Sequence, residues 1–342
     1  MFNGKKVYIT GITGFKGSWL ALMCKELGAE VSGFGLTQEN KNHIFYKAKI
    51  NEIADVDIVD IRYLLNVKQS QKILDADFVF HLAAQPLVSE GYKNPLLTFR
   101  TNTMGTCELF ELLKNSKKKQ SVVNVTTDKV YKPNSSKYFK EEDELRGNDP
   151  YSLSKSMADM IASCYIEHLL PENVVVSNVR AGNVIGGGDY AKNRIMTDII
   201  NSIYYDKVLE IRNPNSIRPY QYVLDCLYAY VLIASKQYEN KEFASEYNVG
   251  PDKELLTRTM DLVNVACSIK DLKCNFQGTS IGKENPCLML DNSKIKEKLG
   301  WNAEIVNVED LMEKTLAWYD SKNKEKHSRD EIKDFLKRKG IK

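Results

Sequence analysis

The stretch KVYITGITGFKG (6–17) decides the fold. A short run rich in β-branched and aromatic residues feeds directly into Gly11, Gly14 and Gly17, and an apolar stretch at helical spacing follows from Trp19 to Leu27. A strand delivered into a glycine turn and then a helix lets backbone approach a pyrophosphate, which the helix N-terminus attracts. Outward from this turn, further strands are predicted at Glu30–Phe34, Ile53–Asp60, Phe78–Leu82, Ser121–Thr127 and Val174–Val179, with helices over 62–74, 98–115 and 151–169 between them. That alternation predicts an α/β fold, a Rossmann-type doubly wound parallel sheet. Beyond about residue 180 the regularity weakens, although 222–235 and 256–266 read as helices. We therefore expect a dinucleotide-binding domain over 1–180, to which 218–250 returns. A smaller C-terminal substrate-binding domain is expected from 181–217 and 251–342. The charged tail SKNKEKHSRDEIKDFLKRKGIK (321–342) reads as peripheral.

Composition narrows the function classes. At 342 residues, 43% of them hydrophobic, the chain can bury a substantial core. A net charge of +3 is nearly balanced for this length, so no nucleic-acid or membrane partner is implied. Cys24, Cys107, Cys164, Cys226, Cys267, Cys274 and Cys287 show no Cys-x-x-Cys spacing and read as reduced thiols. MFNGKKVYITGITG (1–14) is already strand and turn rather than a signal peptide, and no apolar run is long enough for a membrane span. A cytoplasmic location follows as the expectation, with no metal site.

The cofactor cradle is assigned to Gly11, Thr13, Gly14, Phe15, Lys16 and Gly17. Asp60 and Ile61 follow the third strand, where a carboxylate can accept from an adenine amino group. Leu82, Ala83 and Ala84 end the fourth, where small side chains leave room for ribose and pyrophosphate. The second strand ends Gly33-Phe-Gly-Leu-Thr-Gln, with neither the carboxylate that favours NAD nor the arginine that favours NADP.

Tyr151-Ser-Leu-Ser-Lys155 sets a tyrosine and a lysine one helical turn apart on one face. A free phenol has a pKa of about 10. A neighbouring ammonium and an oxidised nicotinamide ring favour the phenolate, which can accept an alcohol proton as hydride leaves. Such pairs also arise by chance on surface helices. Here the pair follows a fifth strand ending Thr126-Thr127, and Thr127 offers a hydroxyl to the reacting oxygen.

The stretches GITGFKGSWLA (11–21), HLAAQPLVSEGYKNPLLTFRTNTMGT (81–106), TTDKVY (126–131), NDPYSLSKSMAD (148–159), VRAGNVIGGGD (179–189) and RPYQYVLD (218–225) resemble, in order, the CDP-glucose 4,6-dehydratases, a group of extended short-chain dehydrogenase/reductases. The resemblance implies bound NAD, with NADP left open. It implies oxidation of a nucleotide-activated hexose at C4, loss of water across C5 and C6, and hydride return to C6. It also implies supply of deoxysugars for lipopolysaccharide or capsule, and a homodimer or homotetramer built on the helices at 98–115 and 151–169. A C4 ketone acidifies the C5 proton, so the chemistry needs an acid and a base. Asp128 is expected to protonate the departing hydroxyl, and Lys129, acting as a neutral amine, to remove the C5 proton; the bland reading is an Asp–Lys ion pair closing a strand. Thr101 is implied at the cofactor, and Gln85, Asn102, Asn183, Arg194 and Arg218 at the nucleotide sugar, where guanidinium suits diphosphate oxygens; a surface salt bridge is the alternative for each arginine, for Arg194 more than for Arg218. Gly186-Gly-Gly188 suits a lid. Tyr190 and Tyr220 replace the group's tryptophans, and Lys283-Glu284 its His-Glu. A GDP- or UDP-sugar dehydratase, a nucleotide-sugar 4-epimerase, or a cofactor-binding regulatory protein without turnover remain as alternatives.

Overall fold

A computed structural model describes residues 1–134, 138–211, 213–252, 255, 257–276 and 288–341. Seven strands form one parallel sheet: β1 (Lys6–Thr10), β2 (Glu30–Gly35), β3 (Asp55–Ile58), β4 (Phe78–His81), β5 (Gln120–Val125), β6 (Val174–Ala181) and β7 (Tyr247–Val249), in the order β7-β6-β5-β4-β1-β2-β3. The order reverses between β1 and β4, so a crevice opens beyond their carboxyl ends, the usual ligand position in such sheets.

Side chains alternate across a strand, and this divides the core into two layers. Val7 and Ile9 face a cluster containing Trp19 and Leu20 of α1 (Phe15–Glu26), whereas Tyr8 between them faces a second cluster with Leu109 and Phe110 of α2 (Gly105–Leu113) and Ala162 of α3 (Pro150–His168). The helix Val223–Glu239 (α4) packs in the first layer, and β7 follows it into the sheet beside β6. Outside the sheet, among the described residues, lie four two-stranded ladders, including Val184–Ile185 with Gln221–Tyr222.

Three expectations are corrected. The predicted helix over 62–74 is broken into 3₁₀ turns at Ile61–Asn66 and Lys68–Ser70 and one α-turn at Gln71–Leu74. Asp60 captures the Arg62 N–H and Val67 is extended, so no continuous α-helical ladder forms. The tail is not peripheral. Helix α5 (Lys324–Arg338) buries Ile332, Phe335 and Leu336, and its Arg329 pairs with Glu26 of α1 at 2.7 Å. Nor is Gly186–Gly188 a flexible lid. A Cβ on Gly187 would stand 2.0 Å from Trp318 Cγ, and the Gly187 carbonyl accepts from Trp19 Nε1 at 2.9 Å, so these glycines form a buried wedge between helices. Lys283, Glu284 and Cys287 lie outside the described residues.

Candidate active site

The glycine turn has the shape a dinucleotide pyrophosphate needs. Gly11 takes φ +76°, and a Cβ there would lie 2.8 Å from the Ala83 nitrogen. A Cβ on Gly17 would lie 2.1 Å from the Gly11 carbonyl oxygen, so only glycine permits this closeness of helix and strand. Gly14 caps α1 without a side-chain cap, which leaves the helix N-terminus to an anion. Thr10 Oγ1 accepts from the backbone N–H groups of Leu82 and Ala83, and His81 bridges Thr10 and Thr106. Together these bonds fix the loop after β4 against the turn. Thr13 is buried beneath Gly35, and Asp60, just after the edge strand β3, grips Arg62. These residues fit a bound dinucleotide.

Some sequence assignments belong instead to the scaffold. Phe15 is buried, its ring beside Gly186, and Ile61 is buried against Gly105, so both side chains are packed into the scaffold. Asn102 is held inward by a π-turn at Arg100–Met104 that also carries Thr101. Its Oδ1 accepts from the Gln85 N–H at 2.7 Å, and its Nδ2 donates to the Gln85 carbonyl and Ser154 Oγ. The Gln85 side chain bonds Leu87 and Thr98. Both side chains lock the loop rather than reach outward.

The candidate catalytic side chains converge at the end of β5. Asp149 caps α3 by accepting from the Ser152 N–H, and Pro150 occupies its first turn, so the helix starts where it presents Tyr151. Lys155 lies one turn on and donates to the Val125 carbonyl at 2.8 Å. Thr127 Oγ1 lies 2.9 Å from Asp128 Oδ1 and also acts on the Tyr151 phenol. Asp128 is 1% exposed, and its Oδ2 has no hydrogen-bond partner among the described residues. Burial pushes the Asp128 carboxyl up, against the opposing charge of Lys129 and a smaller effect from Arg218. Burial likewise pushes the Tyr151 phenol up to about 12, opposed by Thr127. Lys129 follows on a 3₁₀ turn, partly buried.

Arg218 is 5% exposed, and its charge reaches Asp128, while the Arg194 charge reaches Tyr151 and Lys16. Arg194 also pairs with Asp189 at 3.0 Å. The Asn183 carbonyl accepts from Gln221, holding that segment beside Arg218 and Tyr220. Lys16 donates to the Tyr230 hydroxyl at 3.2 Å, and burial lowers its ammonium. Sequence reasoning missed Asp159, Arg180, Tyr131 and Asn248, which hydrogen-bond together directly behind the reacting groups. Asp159 stands four residues after Lys155, a spacing that could have flagged it; Arg180 carried no such signal.

Burial lowers the Lys155 ammonium to about 7, with the Lys16 charge adding and Asp159 opposing. An unfolded lysine keeps its proton to about pH 10.4, so between these values the unfolded chain binds more protons and this group makes stability rise with pH. Below the lower value the penalty of burying the charge is fully present. Lys155→Met removes the titration. Its stability relative to wild type should therefore fall as pH rises from about 6 to about 10, by denaturant midpoints of the ligand-free proteins. A difference that stays flat across that range would contradict the buried ammonium.

Residues 8–315 match the family described as GDP-mannose 4,6-dehydratase. The CDP-glucose 4,6-dehydratase of Salmonella typhimurium is 38% identical over 311 residues, covering 88% of this chain and 87% of its own. The dTDP-D-glucose 4,6-dehydratase of Dictyostelium discoideum is 29% identical over 278 residues, covering 73% and 59%. Among solved structures, UDP-glucuronic acid 4-epimerase from Bacillus cereus, in complex with UDP-glucuronic acid and NAD, superposes with a TM-score of 0.78 at 22% identity, covering 92% and 98%. The latter likeness bears on the fold.

Proposed function

The chain belongs to the GDP-mannose 4,6-dehydratase family, and from that premise we propose that it dehydrates CDP-glucose to CDP-4-keto-6-deoxyglucose with bound NAD. One observation carries this reading: a buried Tyr151–Thr127–Asp128 cluster with Lys129 next in the chain. Tyr151 and Lys155 suffice for oxidation; an acid and a base beside them are what elimination adds. The identity of the Salmonella relative favours cytidine diphosphate and glucose.

NAD, when bound, supplies the hydride acceptor for C4 and the donor for C6. Tyr151 takes the O4 proton, with Thr127 hydrogen-bonded to that oxygen. Burial raises the Asp128 carboxyl, which favours the protonated form that delivers a proton to the departing C6 hydroxyl, leaving as water. Lys129 removes the C5 proton and later returns one to C5. The proton Tyr151 took from O4 replaces the one Asp128 gave up, so the balance is loss of one water with no net use of cofactor. Arg194 and Arg218 neutralise the sugar diphosphate, and Asn183 is held by Gln221, on the segment that carries Arg218.

Incubation with CDP-, GDP-, UDP- and dTDP-hexoses, with mass detection, is the test. Loss of one water from CDP-glucose is expected. Loss only from a GDP- or UDP-sugar would reassign the base, C4 inversion without loss of mass would make the chain an epimerase, and no hydride transfer at all would favour a regulatory role. A product of this kind supplies deoxysugar for lipopolysaccharide or capsule, made in the cytoplasm; no helix among the described residues is long and apolar enough to cross a membrane.

A homodimer is part of the same reading. The outer face of α3 exposes Leu153, Met157 and Met160, and Met104 is 53% exposed in the π-turn preceding α2. Scattered apolar side chains need no explanation, but a run along one helix suits a second copy. Met160→Glu is expected to shift the particle toward a monomer by light scattering at micromolar concentration. A native-size oligomer in that variant would move the interface elsewhere.

A further inference from the structure

Tyr151, Lys155 and Asp159 recur every four residues on one face of α3 and meet three consecutive residues at the end of β5. Lys155 donates to the Val125 carbonyl, Thr126 Oγ1 donates to Asp159 Oδ2 at 2.9 Å, and Thr127 acts on Tyr151. Asp159 is fully buried. Arg180 of β6, 2% exposed, grips it in a fork, Nε to Oδ2 at 3.0 Å and Nη2 to Oδ1 at 2.9 Å. Arg180 Nη1 then donates to the Tyr131 hydroxyl at 3.0 Å and the Glu141 carbonyl at 2.7 Å, and Tyr131 donates to Asn248 Oδ1 at 2.6 Å. Thr126 and Tyr131 bracket the segment 127–130. Both ends of the segment that holds the acid and base are therefore moored to a single ion pair.

A buried ion pair adds little net stability, because desolvation offsets the attraction, and apolar residues of similar volume often replace it without loss. Its use here is geometric. We propose that Asp159 and Arg180 are positioning residues that clamp the segment Thr127–Lys129 against Tyr151 and Lys155, and that elimination depends on the clamp more than oxidation does. This rests on the dehydratase reading above. Tyr151 and Lys155 ride on a long helix with its own N-cap, whereas Asp128 and Lys129 sit on a three-residue turn. An error of about an ångström in such a turn is enough to slow a proton transfer about a hundredfold.

The decisive variant is Asp159→Leu combined with Arg180→Met, which removes the pair without stranding either charge. Loss of Asp159 also removes a charge that supports the Lys155 ammonium. In rapid mixing with CDP-glucose, the reduced nicotinamide should therefore form more slowly than in wild type and then persist, while loss of water slows further, by about a hundredfold. Unchanged loss of water, or equal slowing of both steps, would overturn the clamp. Should the double variant not fold, Arg180→Lys carries the same test, since a point charge keeps the pair without the fork. Slower elimination relative to oxidation supports the clamp, and a wild-type ratio overturns it. A wild-type protein that oxidises the sugar yet never releases water sinks the dehydratase reading and the clamp together. A dehydrating wild type whose variants keep its ratio sinks the clamp alone.

Discussion

Replacing Tyr151 by phenylalanine should lower hydride transfer by roughly a hundred- to ten-thousandfold, the range expected for loss of a positioned proton acceptor. The fold should tolerate the change, because the ring is the packed part. Tyr151 is only 9% exposed. Only the hydroxyl is lost. With burial holding that phenol up to about 12 in the ligand-free protein, its base form gains population as pH rises. Wild-type oxidation should therefore show a limb that rises with pH, and the phenylalanine variant should lack it. Stopped-flow absorbance of the reduced nicotinamide measures both. Retention of about a tenth of the wild-type rate or more would exclude Tyr151 as the proton acceptor.

Lys129→Met and Asp128→Asn should each stop the reaction after oxidation, with losses of water release in the same hundred- to ten-thousandfold range. The two blocks differ in isotope behaviour. Without Lys129, no base removes the C5 proton, so solvent deuterium should not enter C5. With Asp128→Asn the base remains while the departing hydroxyl lacks its proton, so deuterium should enter C5 with no water lost. Mass spectrometry of recovered sugar in deuterium oxide reads this directly. The reverse pattern would exchange the two roles, and full turnover in Lys129→Met would end the acid–base assignment.

How far the chain was legible follows from which interactions are local. The glycine turn and the Tyr151–Lys155 spacing depend on neighbours within one turn of chain, and their geometry on the strand–helix junctions follows from the spacing. Asn102 and Gln85 looked like polar groups free for a sugar because nothing local reveals that the Asn102 side chain, carried on a π-turn, bonds the Gln85 backbone while the Gln85 side chain bonds Leu87 and Thr98. Gly186–Gly188 read as a lid because flexibility is what three glycines offer in isolation; Trp318, far along the chain, fills the space a side chain would need. The charged tail hid Ile332, Phe335 and Leu336, spaced so that one narrow stripe meets α1.

The sequence by itself determined the doubly wound class and the glycine turn, and it singled out the candidate proton-handling residues, because strand–turn–helix order and single-turn spacing are properties of adjacent residues. Only the tertiary structure decided which polar groups face the crevice and which lock the scaffold. Asp159 and Arg180 lie in different elements, and no periodicity joins them. Their bond exists because α3 packs across β5 and β6, where desolvation requires each buried charge to find a partner.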